Sequence, residues 1–103
     1  MSSAAAKRHS IEDLRSIVAP VAEKYGVDRV YIFGSVARGD FDENSDYDFC
    51  IESGMIKSIF KLSGFYQELH DAVGYEIDLV TTNSLDPEFL STIMDEGVMI
   101  YEQ

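Results

Sequence analysis

Two aspartates separated by one residue, Asp46 and Asp48, have the spacing in this 103-residue chain that best fits metal-dependent chemistry. Asp46 directly precedes, and Asp48 lies within, the segment Tyr47–Glu52, whose aromatic and branched residues predict a β-strand. Because side chains alternate along a strand, both carboxylates share one face. A third aspartate, Asp78, lies in a second alternating segment, Tyr75–Val80, which also predicts a strand. Carboxylate oxygens displayed together are typical ligands of hard divalent cations.

A glycine-serine pair precedes these aspartates. Gly34 and Ser35 follow the predicted buried strand Arg29–Phe33. A strand that leads through Gly-Ser into a helical turn presents backbone N–H groups and a hydroxyl to phosphate oxygens. Gly34 and Gly39 have the spacing of a Walker loop, but Asp40 stands where that loop needs lysine, which excludes it. The aspartate pair indicates that magnesium neutralises the phosphates instead.

Helices and strands alternate around these residues. Ser10 and Asp13 form a capping box that predicts a helix start, with a kink at Pro20 and a stop at Gly26. The remaining predictions follow from periodicity and end signals: a helix over Ile56–Val73, a helix from Asp86 and Pro87 to Gly97, and an edge strand over Val98–Tyr101. The order is helix, strand, strand, helix, strand, helix. This order predicts an α/β or α+β domain with one sheet covered by helices.

The motif residues resemble a known family. Gly34-Ser35, ten intervening residues and Asp46-Tyr47-Asp48 resemble the signature of the nucleotidyltransferase superfamily. Gly-Ser-x-Ala-Arg-Gly and Ser-Asp-x-Asp-Phe resemble its minimal nucleotidyltransferase branch, as do Asp78 and the closing segment Glu96–Glu102. The resemblance implies a nucleotidyltransferase fold with a small mixed sheet in a single domain. Members of this branch are commonly antitoxins paired with a HEPN-family ribonuclease toxin, and several adenylylate a tyrosine of that toxin with ATP.

The resemblance also implies roles for the acidic residues. Asp46 and Asp48 become the ligands that bridge two Mg²⁺ ions, and Asp78 becomes an additional ligand and the base for the incoming hydroxyl. The expected reaction is the transfer of AMP from ATP to a hydroxyl of a partner toxin, and the resemblance implies a tyrosine as the acceptor. All three aspartates are therefore expected to be catalytic and metal-binding.

Four further residues are expected to bind the nucleotide. Gly34 and Ser35 would cradle the terminal phosphates of ATP. Arg38 is expected to pair with a phosphate, with a surface salt bridge to Asp40 or Asp42 as the alternative. Ser45 is placed with this group. Its alternative role is to fix the loop before the strand, without contact to the substrate.

Composition restricts the partners. Eight Lys and Arg against 19 Asp and Glu give a net charge of −11. This charge argues against direct nucleic-acid binding, which needs a surplus of cations, and predicts a basic partner protein. No apolar run approaches the roughly 20 residues of a membrane span, so a cytoplasmic location is expected. Residues 1–9 are expected to form a flexible tail and 10–103 the domain, with His9 in the tail and His70 on a helix surface.

Several alternatives stay open at this level. Asp40, Asp42 and Asn44 imitate the start of an EF-hand loop, but Ser45 stands where that loop needs glycine. A non-catalytic module that neutralises a toxin sterically is a second alternative. A small-molecule or RNA nucleotidyltransferase is a third, weakened because only 25 residues follow the third aspartate. No exposed apolar stripe stands out from the core pattern, and the single cysteine, in an apolar run, is expected to be buried.

Overall fold

The computed structural model describes residues 9–34, 37 and 46–103. Within these residues the chain forms three α-helices and four β-strands in the predicted order. Their bounds are α1 (Ile11–Tyr25), β1 (Arg29–Phe33), β2 (Tyr47–Glu52), α2 (Ile59–Val73), β3 (Ile77–Thr81), α3 (Pro87–Glu96) and β4 (Val98–Glu102), with a short 3₁₀ turn at Thr82–Ser84. The predicted fold class, a small sheet with helices packed on it, is confirmed.

The four strands form one mixed sheet in the order β3-β2-β1-β4. β1 pairs antiparallel with both β2 and β4, whereas β2 and β3 are parallel. The parallel pair is joined by α2, because a parallel connection needs a crossover that returns the chain to its starting edge. β4 lies at one edge of the sheet, as the sequence predicted.

The helix ends follow their local capping signals. Ser10 and Asp13 form the predicted capping box, and Gly26 ends α1 in the left-handed conformation. Pro20 lies inside α1, which continues to Tyr25. At α3, the carboxylate of Asp86 accepts from the backbone N–H of Phe89, as expected for the predicted N-cap.

The start of α2 differs from the prediction, and the structure defines its buried face. α2 begins three residues later than Ile56, because Ser58 caps it by accepting from the backbone N–H of Lys61. Its buried side chains are spaced at helical intervals, and they are Phe65, Leu69 and Val73, with Leu62 partly buried beside them. At 3.6 residues per turn, Phe60 falls on the far side of the helix from this row.

The first turn of α2 therefore carries exposed apolar side chains. Phe60 is 86% exposed and Ile59 71%, and Met55 in the preceding loop is also exposed. We call these three residues the distal patch. The expectation that no exposed apolar surface stands out was wrong, because apolar periodicity alone did not reveal which turn of the helix reaches the core.

The core lies between one face of the sheet and the two helices α1 and α2. Alternate strand residues point into it, among them Val30, Ile32, Phe49 and Ile51. The expectation that His9 belongs to a tail was wrong: it is half-buried, its ring Nε2 is 2.7 Å from the carbonyl oxygen of Val73, and its ring packs edge-on against Tyr75. Among the described residues, no helix is long and apolar enough to cross a membrane.

Candidate active site

Three neighbouring strands bring the predicted site residues to one end of the sheet. In the antiparallel pairing of β1 and β2, Phe33 lies opposite Asp48. In the parallel pairing of β2 and β3, Asp48 lies opposite Asp78. Gly34 follows directly after β1, and Asp46 directly precedes β2. We call Gly34, Asp46, Asp48 and Asp78 the carboxylate edge.

Gly34 and Asp48 are in direct contact. Gly34 has a φ of +73°, a conformation that glycine adopts without strain. A Cβ atom built on Gly34 would overlap the Oδ2 atom of Asp48. The sequence predicted Gly34 only as part of a phosphate-binding turn, and the structure adds that this glycine makes room for a carboxylate. The need for glycine at this position depends on the register of β1 and β2, so no local pattern in the sequence predicts it.

The other two aspartates are exposed to solvent. Within the described part of the chain, the side chains of Asp46 and Asp78 form no ion pair. In the same part of the chain, no three His, Cys, Asp or Glu side chains converge closely enough, as they stand, to hold a metal ion. The assignment of Asp46, Asp48 and Asp78 as a metal set thus stays a prediction. Ser35, Arg38 and Ser45, predicted to bind nucleotide, lie outside the described residues, as do positions 40, 42 and 44 of the EF-hand alternative.

The donor types of the carboxylate edge fit a divalent cation. They supply only hard oxygen donors, which is the chemistry that Mg²⁺ and similar ions prefer. The absence of a side chain at Gly34 leaves the carboxylate of Asp48 close to the backbone of the predicted phosphate-binding turn. A cation held by Asp48 is therefore compatible with a phosphate at that turn.

An aromatic cluster on the core side of the sheet fixes the start of β2. The ring of Tyr47 is fully buried and packs against His9, Phe49 and Tyr75. The backbone N–H of His9 donates to the Tyr47 hydroxyl oxygen at 3.0 Å. Because this cluster holds the residue between Asp46 and Asp48, it sets where both carboxylates emerge. The sequence analysis placed His9 in the tail, because a residue that precedes the N-cap of a helix is not part of the apolar periodicity of that helix.

The same face of β2 continues away from the site through Cys50 and Glu52. Cys50 is buried, as predicted, and burial raises the pKa of its thiol to about 11. Glu52 accepts from Arg29 Nη1 at 2.7 Å, and Arg29 Nε donates to Glu102 at 3.0 Å. The far end of β2 is therefore a cross-strand ion cluster that joins β1, β2 and β4.

A glycine that ends one strand, next to carboxylates on the neighbouring strands, is compatible with proteins that transfer phosphoryl or nucleotidyl groups. Residues 16–103 match the family model described as polymerase beta, nucleotidyltransferase. The chain belongs to this nucleotidyltransferase family. The resemblance seen in the motif residues and the expectation of an enzyme are confirmed. Nucleotidyltransferases of this family generally use a divalent metal ion.

Relatives and solved structures agree with this assignment. A protein of Methanocaldococcus jannaschii, provisionally named a protein adenylyltransferase, is 37% identical over 89 residues, which is 86% of this chain and 96% of that protein. The protein adenylyltransferase MntA of Thermococcus cleftensis is 30% identical over 95 residues, 88% of this chain and 96% of its own.

Among solved structures, one provisionally described as a minimal nucleotidyltransferase is 26% identical with a TM-score of 0.76, covering 89% of this chain and 97% of that chain. An MNT antitoxin in complex with a tri-AMPylated HEPN toxin of Shewanella oneidensis has a TM-score of 0.66 at 15% identity, covering 87% of this chain and 71% of that one. This last likeness concerns the fold.

Proposed function

We propose that this chain is a protein adenylyltransferase that acts as an antitoxin. It transfers AMP from ATP to a hydroxyl, most simply a tyrosine, of a partner HEPN ribonuclease toxin. The observation that carries the proposal is the carboxylate edge, where Gly34 makes room for Asp48 and the strand register sets Asp78 beside it. The sequence relatives named protein adenylyltransferase support AMP transfer to a protein. The MNT antitoxin that shares this fold, solved with an AMPylated HEPN toxin, supports the choice of partner.

The reaction is an in-line displacement at the α-phosphorus of ATP. The acceptor oxygen forms a bond to the α-phosphorus while the bond from that phosphorus to the bridging oxygen breaks, and pyrophosphate leaves with the electron pair. The proton of the acceptor hydroxyl moves to a carboxylate, and Asp78, exposed at the outer strand β3, is the proposed base. Gly34 and Ser35 orient the terminal phosphates, while Arg38 and Ser45 complete the nucleotide site.

Two Mg²⁺ ions are the proposed cofactors, with Asp46 and Asp48 as shared ligands and Asp78 as an additional ligand. When bound, the ions neutralise the phosphate charge and lower the pKa of the acceptor hydroxyl. The chain's own residues hold the oxygen donors in place through the Tyr47 cluster and the Gly34 contact. The all-oxygen donor set supports magnesium over softer metals.

The test uses ATP labelled at the α-phosphate, magnesium and the partner toxin. We expect label on the toxin with the unaltered chain and no label with Asp48→Asn. Label that appears on RNA or a small hydroxyl compound, but not on the toxin, would favour the alternative transferases. A toxin that is neutralised without label, by the unaltered chain and Asp48→Asn alike, would favour the steric binding module.

The role of Asp78 is tested separately. We expect Asp78→Asn to retain binding of a non-hydrolysable ATP analogue, measured by titration calorimetry, and to lose turnover, because it removes the base and not the phosphate contacts. An Asp78→Asn variant that binds the analogue as poorly as Asp46→Asn does would contradict a separate acceptor-side role.

A further inference from the structure

The face of the sheet that carries the candidate site carboxylates also carries an aromatic ring. Ile32 and Phe49 point into the core. Because side chains alternate along a strand, Phe33 and Asp48 point to the opposite face. These two residues are register partners across β1 and β2, which sets their Cβ atoms about 4.5–5.5 Å apart. Asp78 is the register partner of Asp48 on β3, so one ring and two carboxylates lie in a row across three strands.

Phe89, in the first turn of α3, extends this aromatic surface. Its ring packs edge-on against the ring of Phe33, with centroids 6.3 Å apart and an angle of 88° between the ring planes. Phe33 is half-buried, whereas Phe89 remains 45% exposed. An edge-on contact occupies only part of each ring. The contact therefore holds the ring of Phe89 near the carboxylate edge and leaves part of it open to solvent.

The strand order separates a nucleotide side of the site from an acceptor side. β1, with Gly34 at its end, lies on one side of Asp48, and β3, with Asp78, lies on the other. In an in-line displacement, the acceptor and the leaving pyrophosphate occupy opposite sides of the phosphorus. With Asp78 as the proposed base, the acceptor approaches from β3 and the phosphates lie towards β1. Phe89 packs on Phe33 of β1 and is therefore on the nucleotide side.

We infer that Phe89 is the stacking platform for the base of the bound nucleotide, and that Phe33 holds its ring in position. This inference rests on the proposed function. Of the parts of ATP, only the base offers a planar π-face that matches an exposed aromatic ring. Every base has such a face, so stacking discriminates weakly among bases. The platform thus favours a nucleotide over a base-free polyphosphate much more than it favours adenine over another base.

The experiment compares a ligand that has a base with one that lacks it. Titration calorimetry in the presence of magnesium measures the affinity for a non-hydrolysable ATP analogue and for inorganic tripolyphosphate. We expect Phe89→Ala to weaken binding of the analogue by about fivefold or more, as for the loss of one base–aromatic stack. Binding of tripolyphosphate should stay within about twofold, and so should binding of the analogue by Phe89→Tyr, which keeps the ring. Equal losses for both ligands, or no loss for the analogue, would overturn the inference.

The chain offers a matched control. Phe60→Ala removes an even more exposed phenylalanine, but from the distal patch, and should leave the affinity for both ligands unchanged. A loss of analogue affinity equal to that of Phe89→Ala would contradict a local stacking role. If Phe89→Ala does not fold, as judged by circular dichroism, nuclear Overhauser effects in the unaltered chain replace it. Effects between the H2 or H8 protons of adenine and the ring of Phe89 are expected, and their absence would overturn the inference.

Kinetics of AMP transfer separate this inference from the proposed function. Phe89→Ala should raise KM for ATP and leave kcat nearly unchanged, because the base is held equally in the ground state and the transition state. Transfer of label to the partner, with nucleotide affinity indifferent to Phe89, sinks the stacking platform alone. Nucleotide binding that depends on Phe89, without transfer of label to the partner, sinks the proposed function alone.

Discussion

Asp48 and Glu52 lie on the same face of the same strand, four residues apart, yet their surroundings differ. The carboxylate of Asp48 lies against Gly34, at the edge where Asp46 and Asp78 are exposed. The carboxylate of Glu52 is neutralised by Arg29. Between them Cys50 is buried and keeps its proton.

This difference separates the end of the strand that we propose to be reactive from a structural one. At the Glu52 end, a cation supplied by the protein satisfies two carboxylates and ties three strands together. At the Asp48 end, the described residues Asp46 and Asp78 have no such cation. Carboxylates held close together repel one another, and a bound metal ion would relieve that repulsion. Acidic residues that look alike in the sequence therefore have different surroundings in the fold.

The largest expected effect is the loss of AMP transfer at one end only. Asp48→Asn should lower the rate of transfer by roughly 10³-fold or more, as for the removal of other key electrostatic groups. Glu52→Gln, its control on the same face, should leave the rate nearly unchanged. Labelled transfer and thermal melts check both variants, and a large drop in melting temperature for Asp48→Asn would assign that residue to the fold instead.

The next effect compares two glycines with positive φ. Gly34 and Gly74 have φ values of +73° and +80°, so alanine at either position should cost about 1–3 kcal/mol of stability from backbone strain. A Cβ at Gly74 meets nothing within 4 Å, whereas at Gly34 it displaces Asp48. We expect Gly34→Ala to lose AMP transfer and Gly74→Ala to retain it. Similar activity in the two variants would mean that the close approach at Gly34 has no role in the reaction.

A smaller effect concerns Arg29. Arg29→Met removes the ion pairs with Glu52 and Glu102 and should lower the melting temperature by a few degrees while AMP transfer continues. These pairs are partly exposed, so salt screens them. The difference in melting temperature from the unaltered chain should shrink in 1 M salt. A difference that salt does not alter would show that packing of the arginine stem, not its charge, stabilises this end.

The last effect is confined to alkaline pH and concerns Cys50. Burial raises the pKa of this thiol to about 11, whereas an unfolded thiol ionises near about 8.5. Between these values the unfolded chain releases a proton that the folded chain keeps, so stability falls as pH rises, by at most about 1.4 kcal/mol per pH unit. Urea unfolding of the unaltered chain and Cys50→Ala, from pH 8 to 11, should show the stability difference narrowing. A constant difference would contradict the buried thiol.

Short-range patterns in the sequence predicted the helices, the strands and the candidate site residues. The capping box at Ser10, the glycine stop at Gly26 and the Asp86-Pro87 start are short-range signals, because each depends on hydrogen bonds within one helical turn. The Gly34-Ser35 turn and the Asp46, Asp48 alternation are equally local. The family signature could be recognised for the same reason.

Which surfaces these elements bury and which they expose depends on long-range packing. The register of β2 against β1 placed Asp48 on Gly34, and the register against β3 placed Asp78 beside it. The packing of α2 buried Phe65 and left Phe60 in solvent, although both are apolar residues of one helix. Contacts of this kind join residues far apart in the chain, so neither periodicity nor propensity contains them.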